Sequence, residues 1–101
     1  MIIRVFRARV FPDKHAEYER FIREQMVPLM QAEPGLLGFE VGSPMEPSPN
    51  EYLVVSTWRD MSSMMRFTGE KWQEPVALDG EADLVEEATV SHYEQLPIAE
   101  S

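Results

Sequence analysis

Cysteine is absent from the 101 residues, which excludes disulfides, a thiol nucleophile and thiolate metal sites. Basic residues are scarce: 9 Lys and Arg stand against 18 Asp and Glu, for a formal charge of −9. Nucleic-acid binding depends on cations that neutralise phosphates, and membrane-surface binding on polybasic segments, so neither partner is expected. No apolar run approaches the ~20 residues that span a bilayer. The opening "MIIRVFRARV" sets arginines inside its apolar stretch and has no leader-like apolar region, so a cytoplasmic protein is expected. The 5 glycines are isolated, and a nucleotide or flavin would lack its usual phosphate-cradling loop. The 2 histidines, His15 and His92, lie far apart and produce no metal-ligand spacing. Neither a metal nor a cofactor is expected.

What remains is an ordinary globular composition, 44% apolar and 27% charged, in a chain long enough for one modest core. A single domain is expected over residues 1–96, with a short tail at 97–101. "IIRVFRARV" alternates as a strand, with Ile2, Phe6, Ala8 and Val10 on one face and Arg4 as the exception there; Ile3, Val5, Arg7 and Arg9 take the other. From about Ala16 to Gln31 the period becomes helical, with Tyr18, Phe21, Ile22, Met26, Leu29 and Met30 mainly on one side. Asp13 is placed to cap this helix, and Pro28 to kink it or end its regular part. "LLGFEVGS" reads as a second strand with Leu37, Phe39 and Val41 together. "EYLVVSTW" reads as a third, with Leu53, Val55 and Thr57 opposite Tyr52, Val54, Ser56 and Trp58. Asp60 should cap a helix through "MSSMMRF" that Gly69 interrupts. "EKWQEPVAL" can add a short helical piece, "GEADLVEE" reads as a solvated acidic loop, and a last strand is expected at about 87–95.

The order β-α-β-β-α-β is that of an α+β, ferredoxin-like domain, a four-stranded antiparallel sheet with helices on one face. The other face would present apolar groups to water, which calls for a partner. A second copy of the chain, sheet against sheet, would bury both faces.

The stretches "AEPGLLGFEVG", "EYLVVSTWRDMSSMMRF" and "SHYEQL" carry a resemblance that covers nearly the whole chain. Through Glu33-Pro34-Gly35, Trp58-Arg59-Asp60 and His92-Tyr93-Glu94, the sequence resembles the antibiotic biosynthesis monooxygenase family. The resemblance implies a dimeric α/β barrel with a small-molecule pocket between helices and sheet. It also implies cofactor-independent oxygenation of quinols and polyketide aromatics, or haem degradation. The haem branch would need an asparagine where Phe6 or Arg7 stands and a histidine within the Trp72–Ala77 region. It would also need a tryptophan where Phe67 stands, and all three are missing.

The residues that can carry chemistry are few. His92 is suited to take a proton from a phenol or quinol at neutral pH, or else it is a structural histidine near a subunit boundary. Strand alternation sends His92 with Val90 and Glu94 to one face and Tyr93 to the other. Phe6, Trp58, Met65, Phe67 and Trp72 are the candidate walls of an apolar pocket for a small aromatic molecule; the same groups also suit a plain core. Among Arg4, Arg7 and Arg9, one can bind an anionic oxygen, or all can pair with the many carboxylates. The expected function is a cofactor-independent monooxygenase with His92 as base. The alternative is a binding or interaction module on the same dimeric scaffold.

Overall fold

In the computed structural model, which describes residues 1–75 and 77–98, the elements follow the expected order. They are β1 (Ile2–Val10), α1 (His15–Phe21), a widened turn (Ile22–Met26), α2 (Val27–Gln31), β2 (Leu36–Gly42), β3 (Glu51–Trp58), α3 (Met61–Thr68) and β4 (Val85–Glu94). The strands form one antiparallel sheet in the order β2-β3-β1-β4, with β1 and β3 central. No described helix is long and apolar enough to cross a membrane.

Alternation in β1 and β3 divides the sheet cleanly. Phe6, Ala8 and Val10, with Tyr52, Val54 and Trp58, are buried beneath the helices, and they are joined there by Arg4 and Ser56. On the opposite face Val5 pairs with Val55 and Ile3 with Thr57, and these side chains are only half-buried. On the first long helix, Tyr18, Phe21, Ile22, Met26 and Met30 complete the core.

Four expectations need correction. Asp13 does not cap α1; Lys14 occupies that position without a side-chain bond, and Asp13 lies in the turn closed by Lys14 N–H to Phe11 O at 2.9 Å. The helix loses its regular period just before Pro28, as expected, but Leu29 does not join the buried side. The turn before the proline widens so that Val27 N–H reaches Ile22 O, and Pro28 falls in the first turn of α2, where a missing N–H is tolerated. That extra residue rotates the rest of the helix, so Met30 is buried and Leu29 is left exposed. In β2 a bulge between Leu36 and Gly38 breaks the alternation and turns Leu37 outward, away from the Phe39 and Val41 row. Finally, residues 70–73 form turns and residue 74 a bend rather than a helix, and Val76 lies outside the described residues.

Asp60 caps α3 as expected, its carboxylate accepting from Ser63 N–H at 2.8 Å. This bond holds the carboxyl below its ordinary range. The same turn of α3 packs directly on Gly35, where any Cβ would collide with the Ser63 side chain. Helix α3 stops at Gly69, whose φ of 88° suits glycine. Between Gly69 and β4 the described residues 70–75 and 77–84 are turns and irregular chain, together termed the strap, and they include Trp72, Leu78 and Glu81.

Candidate functional site

The strap, the long helix and the sheet meet around a small cavity of about 50 Å³. Phe6 and Val54 form its floor, Met26 and Met30 one wall, and Phe67 and Leu78 another; Arg4, Thr68 and Glu81 also line it. The sheet supplies the floor because β1 and β3 are central and present alternate residues upward. The walls come from the helical period and, for Leu78 and Glu81, from the strap.

Arg4 is the unusual member. It is only 7% exposed, and among the described residues its Nε has no hydrogen-bond partner and no ion pair to it forms. Its guanidinium carbon lies 5.6 Å from the centre of the Phe6 ring, a cation–π contact that offers partial compensation. Burial pulls its pKa below the ordinary value, and the charge of Glu81 opposes that pull. By contrast Arg9, exposed on the other face, pairs with both Glu86 and Glu87.

Glu81 overturns the reading of "GEADLVEE" as wholly solvated. Its side chain is 3% exposed, and it accepts from the Tyr18 hydroxyl at 2.8 Å and from Leu78 N–H at 3.0 Å. Burial first, and Glu81 second, push the Tyr18 phenol well above its ordinary pKa, so it remains a donor. Glu81 thus ties the strap to α1 and places a negative charge in the cavity wall.

His92 stands directly across the strand pair from Arg4, on the helix side of the sheet, although it does not line the cavity. Directly opposed Cβ atoms lie roughly 5 Å apart. Its Nε2 is buried without a partner among the described residues, and its ring meets Trp72 edge to face at 5.0 Å between centroids. Burial, then the Arg4 charge, hold its pKa below the usual histidine value, so the ring is neutral at neutral pH.

The six residues singled out from the sequence are therefore not all at the cavity. Phe6 and Phe67 line it, while Trp72 and His92 pack on each other beside Arg4. Trp58 is fully buried beneath, its ring stacked on Phe67 at 5.5 Å and its indole N–H donating to Ser56 Oγ at 2.9 Å. Met65 faces outward from α3, and Met64 takes the buried position. Sequence reasoning missed Tyr18 and Glu81 as polar members of the site. Arg4 did leave a signal, a charge in an otherwise apolar row.

A four-stranded antiparallel sheet roofed by helices, with a small, mostly apolar cavity lined in part by a buried cation, defines an α+β domain of the ferredoxin-like class. The profile of the antibiotic biosynthesis monooxygenase family matches residues 1–73, and the chain belongs to that family. Solved structures similar to it share the fold at low sequence identity. A crystal structure of an antibiotic biosynthesis monooxygenase superposes with a TM-score of 0.76 at 16% identity, covering 96% of this chain and 100% of that one. PA3566 from Pseudomonas aeruginosa gives 0.73 at 18%, covering 95% and 94%. A point mutant of MhuD, crystallised with two manganese protoporphyrin IX molecules bound per active site, gives 0.74 at 16% and covers all of both chains. No curated relative matches the chain by sequence.

A haem does not fit the residues present. The described part of the strap over the cavity carries no histidine, and the imidazole of His92 is covered by Trp72. Among the described residues no group of three His, Asp or Glu is placed to hold a metal ion.

Proposed function

We propose that this protein is a cofactor-independent monooxygenase acting on a small aromatic, quinol-like substrate. The observation that carries the reading is a pair of buried, unpartnered nitrogens, Arg4 Nε and His92 Nε2, on cross-strand neighbours beside an apolar cavity. Buried polar groups normally have partners, and two orphans side by side are best explained by a ligand that completes them. Neutral His92 takes the hydroxyl proton: the substrate O–H bond breaks and an Nε2–H bond forms. The resulting phenolate passes one electron to O₂, the two radicals combine at a ring carbon, and the peroxide anion so formed takes the proton back from His92, breaking the Nε2–H bond. Loss of water from that hydroperoxide leaves a carbonyl, so that a hydroquinone and O₂ give a hydroxyquinone and water. Apolar walls hold the ring and keep solvent from the anion.

A cavity of about 50 Å³ is too small for a ring, given that about 150 Å³ accommodates benzene. Substrate entry therefore requires Leu78 to move outward from the cavity and Trp72 to move off His92. The closed dimensions favour a second reading, a binding module without turnover. Oxygen uptake with a panel of hydroquinones separates the two. Wild type should consume O₂ with at least one of them, and His92→Gln should be slower by about 10²–10⁴-fold, the usual worth of a general base. The folded pKa of His92 lies below the unfolded one, so the base form is lost only as pH falls below about 6.5. The acid limb of kcat/KM should lie there. No uptake from any substrate would leave the binding module, and an unchanged mutant rate would remove His92 from the chemistry.

We also propose that two chains pair sheet to sheet. The face opposite the helices carries Ile3, Val5, Leu53 and Val55, none of which is covered by a described helix. Sedimentation at micromolar concentration should give a dimer, and Leu53→Glu a monomer. A monomeric wild type would rule the pairing out.

A further inference from the structure

We infer that Arg4 holds an anionic oxygen, a carboxylate or a phenolate, of the aromatic ligand, so that the site selects acidic aromatics over neutral molecules of the same shape. This deepens the reading above and rests on the cavity being the ligand site.

The chain carries twice as many carboxylates as cations, 18 against 9, and its exposed Arg9 engages two of them. Arg4 engages none among the described residues, although it is buried, where an uncompensated charge is most costly. The charge of Glu81 offsets part of that cost, but its oxygens accept from the Tyr18 hydroxyl and from Leu78 N–H, and no ion pair forms between it and Arg4 among the described residues. It lowers the cost of the cation without occupying the donors of the guanidinium. The guanidinium, with its Nε unpartnered among the described residues, is therefore left for an oxygen that arrives with the ligand, and Phe6 and Phe67 line the space beside it.

Placement on β1 links this contact to the chemistry. A phenolic oxygen at Arg4 lies next to the cross-strand His92, and the cation stabilises the anion left when His92 takes the proton. The same cation disfavours a protonated His92 before substrate arrives.

Titration calorimetry with benzoate and benzyl alcohol tests the selection without turnover, and 4-nitrophenol, whose absorption distinguishes phenol from phenolate, tests the phenolate arm. Wild type should bind benzoate at least about tenfold tighter than benzyl alcohol, or should bind 4-nitrophenol as phenolate at a pH where the free compound is mainly protonated. The first result identifies a carboxylate and the second a phenolate. Arg4→Gln should erase the preference, and Arg4→Lys should keep part of it. Because the unpaired cation is costly in the empty protein, Arg4→Gln should melt at or above the wild-type temperature.

Equal affinity for charged and neutral probes, binding of neither anion, a preference that survives Arg4→Gln, or a marked fall in melting temperature would each overturn the inference. Arg4-dependent benzoate binding without oxygen uptake from any hydroquinone would keep it and remove the oxygenase. Oxygen uptake that is indifferent to Arg4→Gln would do the reverse.

Discussion

Replacing Trp58 with alanine should cost about 3–5 kcal/mol of folding stability, one of the two largest effects expected of any single change here. The ring is fully buried and sits where three strands meet: Trp58 pairs with Ile2 of β1 on one side and Leu36 of β2 on the other. It also supports the site from below, because Phe67, which lines the cavity, is stacked on it at 5.5 Å. Truncation would leave a void beneath Phe67 and strip Ser56 Oγ of its indole donor, in a strand where Ser56 is itself buried. A domain of this size has about 5–15 kcal/mol in total, so the variant should be marginal. Urea unfolding checks this, with Trp58→Phe as the control. Phenylalanine keeps the stack and loses only the hydrogen bond and some volume, so its loss should be clearly smaller. A loss below about 1 kcal/mol for Trp58→Ala would mean that the helix-sheet junction packs well without the indole.

The face on which Trp58 lies, with Tyr52, Val54 and Ser56, was legible from alternation, because β1 and β3 are central, regular strands whose periods survive in the structure; pocket wall and plain core were both left open for it. The same is true of the split between His92 and Tyr93 and of the Asp60 cap, since each rests on a local rule that neighbouring residues decide. What could not be read has a common cause. The widened turn before Pro28 and the bulge at Leu37 each add one residue to a period. They redirect Leu29 and Leu37 without any mark in the apolar pattern, because leucine suits either position. Met64 and Met65 are adjacent and chemically identical, and the face that α3 turns to the sheet, with Ser63 against Gly35, buries Met64 and leaves Met65 outward. Arg4 announced itself as the charge in an apolar row. Its importance depends on what is missing around it, and a sequence does not record missing partners.

Glu81 is the extreme case, and it carries the second large prediction. In "GEADLVEE" four carboxylates look alike, but Glu81 alone is turned inward, because the turn from Leu78 to Leu84 closes on it: Glu81 N–H donates to Leu78 O and Leu84 N–H to Glu81 O, both at 3.0 Å. Glu81→Ala should therefore lose about 2–4 kcal/mol, since it removes the acceptor of a buried tyrosine hydroxyl and of a backbone N–H, and with them the charge that offsets Arg4. The two losses can be separated. Tyr18→Phe deletes one hydrogen bond but keeps the Glu81 charge and its bond to Leu78 N–H, so it should cost about 1–2 kcal/mol, less than Glu81→Ala. Adding Arg4→Met to Glu81→Ala removes the cation left unbalanced, so the double variant should be more stable than the sum of the single changes predicts. A coupling of at least about 0.5 kcal/mol in that cycle is the signature of electrostatic contact through the cavity wall. Strict additivity would reduce Glu81 to a staple for the strap. Hydrogen exchange supplies the independent readout: amides of residues 77–84 should exchange faster in Glu81→Ala, while those of β1 and β3 keep their order of protection. If the strap stays protected, then Glu81 does not hold it closed, and Trp72 and Leu78 keep it over the cavity by packing alone.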